Sequence, residues 1–140
     1  GRQIQYECCG IEEFTLQNTA SFDVVTCMEL LEHVPNPKQM IRDCALALDG
    51  SGNIFFSTIN RTPKAYAFAV VVAEYILKLL PRGTHDYLKF IKPSELAKWG
   101  RDANLRACEF SGFSYNPLSR HAELNSDLRV NFLAHFVPNL

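Results

Sequence analysis

Ser21-Phe-Asp-Val-Val-Thr-Cys-Met-Glu-Leu-Leu-Glu-His-Val-Pro35 runs from an apolar segment straight into two carboxylates and an imidazole. Phe22, Val24, Val25 and Cys27 suit a short, covered strand of the kind that parallel sheets use. Glu29, Glu32 and His33 follow at its C-terminal end, the edge at which open α/β sheets bind their ligands. A helical turn after the strand would set the three side chains on one face, at positions i, i+3 and i+4. A bland arrangement fits the same residues, with both glutamates solvating a helix start and His33 packed beside Pro35.

The flanking sequence supplies a strand, a helix and a strand. Asn36-Pro37 starts a helix with a capping side chain and a proline at its first position. Met40, Ile41, Cys44, Ala45 and Leu48 fall on one stripe, so this helix covers one face of a sheet. Asp49-Gly-Ser-Gly52 stops it, and Asn53 to Ile59 reads as the next buried strand. Such a crossover implies parallel neighbours and a right-handed connection. Upstream, Ile4 to Cys8 alternates like a strand that turns at Gly10, Ile11 to Leu16 is a short helical turn, and Gln17 to Ser21 is a polar loop. Downstream, Ala65 to Leu80 is a long apolar helix interrupted by Glu74 and Lys78. Pro81 to Asp86 is a loop, and Lys92-Pro93 opens a helix to about Ala103 with Leu96, Trp99 and Ala103 inward. Cys108 to Tyr115 and Leu128 to Val137 form a closing strand pair, joined by a long loop from Asn116 to Asp127.

A chain of 140 residues makes one domain with enough length to bury a core. The formal net charge of −1 gives no general attraction to nucleic acid, and no stripe of basic and aromatic residues appears. Charge is uneven along the chain: residues 1–60 hold three basic side chains against eight acidic, and residues 61–106 hold nine against four. The later part therefore favours an anionic surface. Five cysteines with no CxxC spacing argue for buried thiols in a reducing compartment. No secretory signal opens the chain, and Gly1 in place of methionine leads us to expect an upstream part.

Phe22 to Val34 resembles the fourth-strand motif of class I S-adenosylmethionine-dependent methyltransferases. Phe55-Phe-Ser-Thr-Ile-Asn-Arg61, Pro81-Arg-Gly-Thr-His-Asp86 with Lys89-Phe-Ile-Lys-Pro93, and Tyr115-Asn-Pro117 narrow the likeness to the ubiquinone-biosynthesis O-methyltransferases. Those enzymes methylate catechol intermediates such as 3-demethylubiquinol. The resemblance implies a Rossmann-like α/β sheet lacking its first two strands and closed by a C-terminal antiparallel strand pair. It makes residues 1–140 a partial methyltransferase domain, with 61–93 a lid or membrane-contact insertion. The family's glycine-rich Asp-x-Gly-x-Gly turn and ribose-binding acid are not found in this sequence. Weak or no cofactor binding by these 140 residues alone is therefore expected.

The resemblance implies S-adenosylmethionine as cofactor, with Met28 on the adenosyl side of the strand and Cys9 and Gly10 running past the adenine. A catechol hydroxyl with a pKa near that of tyrosine, about 10, must lose its proton before it attacks a sulfonium methyl. Glu32 and His33 are the candidate catalytic residues, with His33 able to act alone as base. Related eukaryotic enzymes imply a second version, in which Glu29, Glu32 and His33 ligate a Mg²⁺-type ion that binds the catechol oxygens. Histidine is an unusual ligand for that hard cation.

The 65–80 helix has two readings. It is a lid with Phe68, Val71, Val72, Tyr75, Ile76 and Leu79 facing a catechol pocket, or the same face dips into a bilayer surface. In the second reading Arg61, Lys64, Lys78, Arg82, Lys89 and Lys92 meet anionic head groups, at about 1 kcal/mol per charge. Its length and charges rule out a membrane span. The implied partners are a polyprenyl catechol or hydroquinone, an anionic membrane surface and a ubiquinone-biosynthesis protein complex, with no nucleic acid. The expected location is cytoplasmic and peripheral at a bacterial inner membrane, or the matrix face in a mitochondrion. His85 and Asp86 line the pocket or cap a helix, while His121, His135 and Trp99 are structural. A different functional class also stays open, a truncated, non-catalytic module that binds quinone or membrane.

Overall fold

The computed structural model describes residues 3–67, 86–116 and 119–139. Helix α1 (Ile11–Gln17) leads to strand β1 (Phe22–Met28), helix α2 (Pro37–Ala47) and strand β2 (Leu48–Ile59). A single turn, α3 (Pro63–Tyr66), follows, then a 3₁₀ turn at Tyr87–Lys89, helix α4 (Pro93–Asp102) and strands β3 (Leu105–Asn116), β4 (His121–Asn125) and β5 (Asn131–Pro138). The five strands form one sheet in the order β1-β2-β5-β3-β4, parallel only between β1 and β2.

The β1-α2-β2 unit forms, but β1 is not the covered strand expected: of Phe22, Val24, Val25 and Cys27 only Cys27 is buried, and β1 lies at the edge of the sheet. Asn36 Oδ1 accepts the Gln39 N–H at 3.1 Å, which satisfies one orphan donor of α2, and Pro37 occupies the first turn where no partner is lost. Asp49 to Gly52 is not a free loop, however. It lies inside β2, where the register jumps between the Phe22–Leu48 and Val24–Asn53 pairs. A Cβ on Gly52 would stand 2.9 Å from the Asp23 carbonyl oxygen, so the bulge needs a residue without one.

Helices α2 and α4 cover one face of the sheet and bury Ile41, Leu96, Ile54, Phe56, Phe132 and Phe136 against each other. Each large side chain buried there contributes about 1.5–3 kcal/mol. Trp99 and Ala103 pack onto this core, as the spacing of α4 requires. Strand β5 alternates between buried and half-buried residues, so its second face, with Leu133 and His135, looks away from the helices. His135 stacks on Phe55 (ring centroids 4.7 Å apart) and bonds Asn53 Oδ1 at 2.8 Å, a structural role as expected.

Three further expectations change. Ile4 to Cys8 forms no strand and lies exposed, because its alternation finds no partner strand among the described residues. The 116–127 stretch is a hairpin rather than a long loop: β4 pairs with β3 from Gly112–Asn125 to Asn116–His121. Three of the five cysteines, Cys8, Cys9 and Cys108, are exposed, and only Cys27 and Cys44 are buried. The 65–80 helix and His85 lie mostly or wholly outside the described residues.

Candidate active site

At the C-terminal end of β1 the chain leaves the sheet through Glu29, whose φ of 48° is in the left-handed region that few non-glycine residues occupy. Its N–H donates to the Ser57 carbonyl oxygen (3.1 Å) and to Ser57 Oγ (2.8 Å) on β2. Residues 29–36 then run as bends and turns, not as a helix. This corrects the expected common face for Glu29, Glu32 and His33. A left-handed residue at the first position breaks the helical path, and the three side chains part company: Glu29 and His33 are exposed, whereas Glu32 turns inward to 3% exposure.

Glu32 Oε2 accepts a hydrogen bond from Thr58 Oγ1 at 2.7 Å, and Glu32 Oε1 is buried without a partner. Among the described residues no three His, Cys, Asp or Glu side chains gather into a cluster that could hold a metal ion. The Mg²⁺ ligand set of Glu29, Glu32 and His33 is therefore not assembled here. The donors present do not fit the ion, since one of the two carboxylates is sunk into the protein and bonded to a threonine.

The three expected cofactor positions border three separate hollows. Cys9 lines a cavity of about 650 Å³ with Phe14, Val25, Cys27 and Leu30. Gly10 borders one of about 370 Å³ beside Met40 and Asp43. Met28 borders one of about 380 Å³ with Glu29, Ser57, Phe113, Phe132 and Leu133, the hollow into which the β1 edge opens. Cys27 and Cys44 both line the first cavity. A hydrogen bond between them, with burial, pushes the Cys44 thiol far up, which keeps that thiol protonated.

The base of the 61–93 segment is tied down on both sides. Asn60 Nδ2 donates to the Leu128 carbonyl (2.7 Å), Thr62 Oγ1 donates to the Arg129 carbonyl, and Lys64 Nζ meets Asp127 Oδ2 at 2.9 Å. Arg61 donates from Nε to the Phe90 carbonyl (2.8 Å) and pairs with Glu95 at 3.0 Å. Two of the basic residues expected to meet lipid are thus partnered within the protein. Asp86 caps the 3₁₀ turn, its carboxylate accepting the Leu88 N–H, which is the plainer of its two expected roles. No described helix is long and apolar enough to cross a membrane.

Residues 3–109 match the family model described as a methyltransferase domain. The chain belongs to that family. The methyltransferase chain is 55% identical over 136 residues to a ubiquinone biosynthesis O-methyltransferase of Saccharophagus degradans, covering 96% of this chain and 58% of the relative. It is 55% identical over 135 residues to the protein of that name in Aromatoleum aromaticum, with the same two shares. It thus spans less than two thirds of the curated relatives it matches. Among solved structures, a SAM-dependent methyltransferase of Thermotoga maritima superposes with a TM-score of 0.57 at 14% identity, over 86% of this chain and 58% of that one. A magnesium protoporphyrin IX methyltransferase of Synechocystis with bound SAH gives 0.52 at 17%, over 84% and 45%. At these identities the two structures establish the fold: the sheet and its covering helices are those of a class I methyltransferase.

Sequence reasoning missed Ser57, Thr58, Phe113, Asn131 and Leu133 at this edge. The signal available was the Ser-Thr pair near the end of an apolar strand, two hydroxyls with no partner in their own strand pattern.

Proposed function

We propose that the protein containing this chain transfers the methyl group of S-adenosylmethionine to a hydroxyl of a polyprenyl catechol or hydroquinone in ubiquinone biosynthesis. The observation that carries this reading is the 55% identity over 96% of the chain to ubiquinone biosynthesis O-methyltransferases. The hollow beside Met28 supports it: a wall of Phe113, Phe132 and Leu133 suits an aromatic ring, and Glu29 stands on its rim where β1 ends. The non-catalytic module is not favoured, since these relatives carry the enzyme's name.

In the reaction the acceptor oxygen attacks the methyl carbon in line with the departing sulfur, and the phenolic proton must go to a base. His33, exposed on the turn after Glu29, takes that proton. Met28, Cys9 and Gly10 remain the proposed contacts to the cofactor, which supplies the electrophilic methyl. The enzyme works peripherally at an inner membrane or its mitochondrial counterpart, where its acceptor resides.

Full-length protein incubated with methyl-labelled S-adenosylmethionine and a short-tailed catechol acceptor tests this. Label recovered as an aryl methyl ether is the expected product. Label transfer to nitrogen acceptors alone, or none to the catechol while the cofactor binds, refutes the assignment.

A further inference from the structure

We infer that Ser57 and Thr58, two consecutive hydroxyl residues at the end of β2, clamp the two ends of the Glu29–Glu32 turn, and that Glu32 serves as the receiving half of this clamp rather than as a group that meets substrate or metal. This rests on the methyltransferase reading only for its kinetic test.

Neighbouring strand residues point to opposite faces of a sheet, so Ser57 and Thr58 reach the turn from opposite sides. Ser57 Oγ accepts the Glu29 N–H at 2.8 Å, on the side of the hollow lined by Met28 and Phe113. Thr58 Oγ1 donates to Glu32 Oε2 at 2.7 Å, on the helix-covered side. Ser57 is 5% exposed, Thr58 is fully buried and Glu32 is 3% exposed, so water does not compete for either bond. The hydroxyl of Ser57 adds to the bond between Glu29 N–H and the Ser57 carbonyl, and together they hold Glu29 in its left-handed conformation. A residue held in so sparsely populated a region persists only where its surroundings over-determine it, and such residues cluster at functional sites.

The consequence is a division of labour within the Glu-Leu-Leu-Glu-His sequence. Glu29 and His33 face outward at the strand edge, and Glu32, three residues after Glu29 and sunk, fixes where they stand. Glu32 Oε1, the oxygen that Thr58 does not engage, is buried, and among the described residues Glu32 forms no cluster with Glu29 and His33. Bulkier or apolar replacements at Thr58 leave the turn tethered at Glu29 alone.

The test uses full-length protein carrying Thr58→Val, Thr58→Ser or Glu32→Gln. Thr58→Val keeps shape and removes the donor; kcat falls about 10- to 100-fold with KM for S-adenosylmethionine unchanged, since displacement of a positioned group costs about that much. Thr58→Ser restores the hydroxyl and brings kcat back to within about threefold. Glu32→Gln keeps an acceptor for Thr58 and retains kcat within about threefold with the same pH-rate profile. Hydrogen exchange reads the clamp without reference to catalysis: the His33 amide, which donates to the Leu30 carbonyl inside the turn, exchanges about tenfold faster or more in Thr58→Val, while the Glu29 amide held by Ser57 and those of Ile54 and Phe56 do not change. A loss of 100-fold in Glu32→Gln, or wild-type exchange at His33 in Thr58→Val, overturns the inference. If wild-type enzyme transfers no methyl to catechol, the functional reading falls and the exchange result alone decides the clamp.

Discussion

Gly100→Ala looks like a stabilising change from the sequence of α4 and is destabilising in the structure. Alanine is better than glycine inside a helix by about 1 kcal/mol. The gain is smaller here because Gly100 sits in the last turn of Pro93–Asp102. Against it, a Cβ at Gly100 would stand 2.4 Å from Phe136 Cε1, 3.0 Å from Cδ1 and 3.2 Å from Cζ. The ring cannot give way easily. Phe136 is fully buried, edge-on to Phe56 with centroids 5.7 Å apart and to Phe110 at 6.0 Å. Forcing atoms into such a site costs about 1–3 kcal/mol, so the net effect is a loss of about 1–2 kcal/mol. Urea unfolding of the full-length protein reads this as a lower midpoint with an unchanged slope. Phe136→Leu supplies the internal control, because it removes the ring edge that the new methyl strikes. The double variant is expected to be more stable than the sum of the two single changes by about 0.5 kcal/mol or more. A Gly100→Ala protein as stable as wild type, or single effects that simply add, refutes the close approach of α4 to β5.

Other perturbations follow from the same contacts. The Arg129 guanidinium and Lys64 ammonium beside Asp127 hold its carboxyl well below the usual range, so the stability they confer is complete above the ordinary aspartate pKa of about 3.9 and is lost as pH falls through the lowered value. The Tm difference between wild type and Asp127→Asn should therefore be largest near neutrality, shrink in acid and shrink in high salt; a difference that grows on acidification contradicts it. Phe113→Ala, which removes a wall of the hollow beside Met28, raises KM for the catechol acceptor about tenfold, equivalent to roughly 1.4 kcal/mol, and leaves KM for S-adenosylmethionine alone. Lys89→Gln with Lys92→Gln weakens co-sedimentation with anionic vesicles, at about 1 kcal/mol per charge, whereas Arg61→Gln has a smaller effect because Glu95 already neutralises Arg61. Equal binding of wild type to neutral vesicles argues against the electrostatic part.

What local pattern determines is legible in the sequence. The capped start at Asn36-Pro37, the apolar stripe of α2 and the buried run from Asn53 to Ile59 each depend on neighbours in sequence, and each forms. The elements that went unread depend on partners far away. Ile4 to Cys8 alternates as a strand should, yet it pairs with no described strand, and alternation alone creates none. His121 to Asn125 carries only one large apolar residue, Leu124, and becomes β4 because β3 offers it a ladder. That ladder depends on Gly112, where a Cβ would meet the Asp127 carbonyl at 2.2 Å.

The turn after β1 shows the same limit at the site. Spacing of i, i+3 and i+4 puts three side chains together only if the backbone is helical, and nothing local forbids a helix through Glu29-Leu-Leu-Glu-His33. What prevents it lies 28 residues away, where Ser57 takes the Glu29 N–H, and 26 residues away, where Thr58 takes the Glu32 carboxylate. Each bond is the better for being dry, since a buried donor deprived of its partner costs about 1–3 kcal/mol. Conversion of the turn to a helix would forfeit both bonds for at most one turn of backbone hydrogen bonding, and a nucleus that short is unfavourable by itself. The residue types of the motif mark the C-terminal edge of β1, and the adjacent strand decides which of them reach the solvent side.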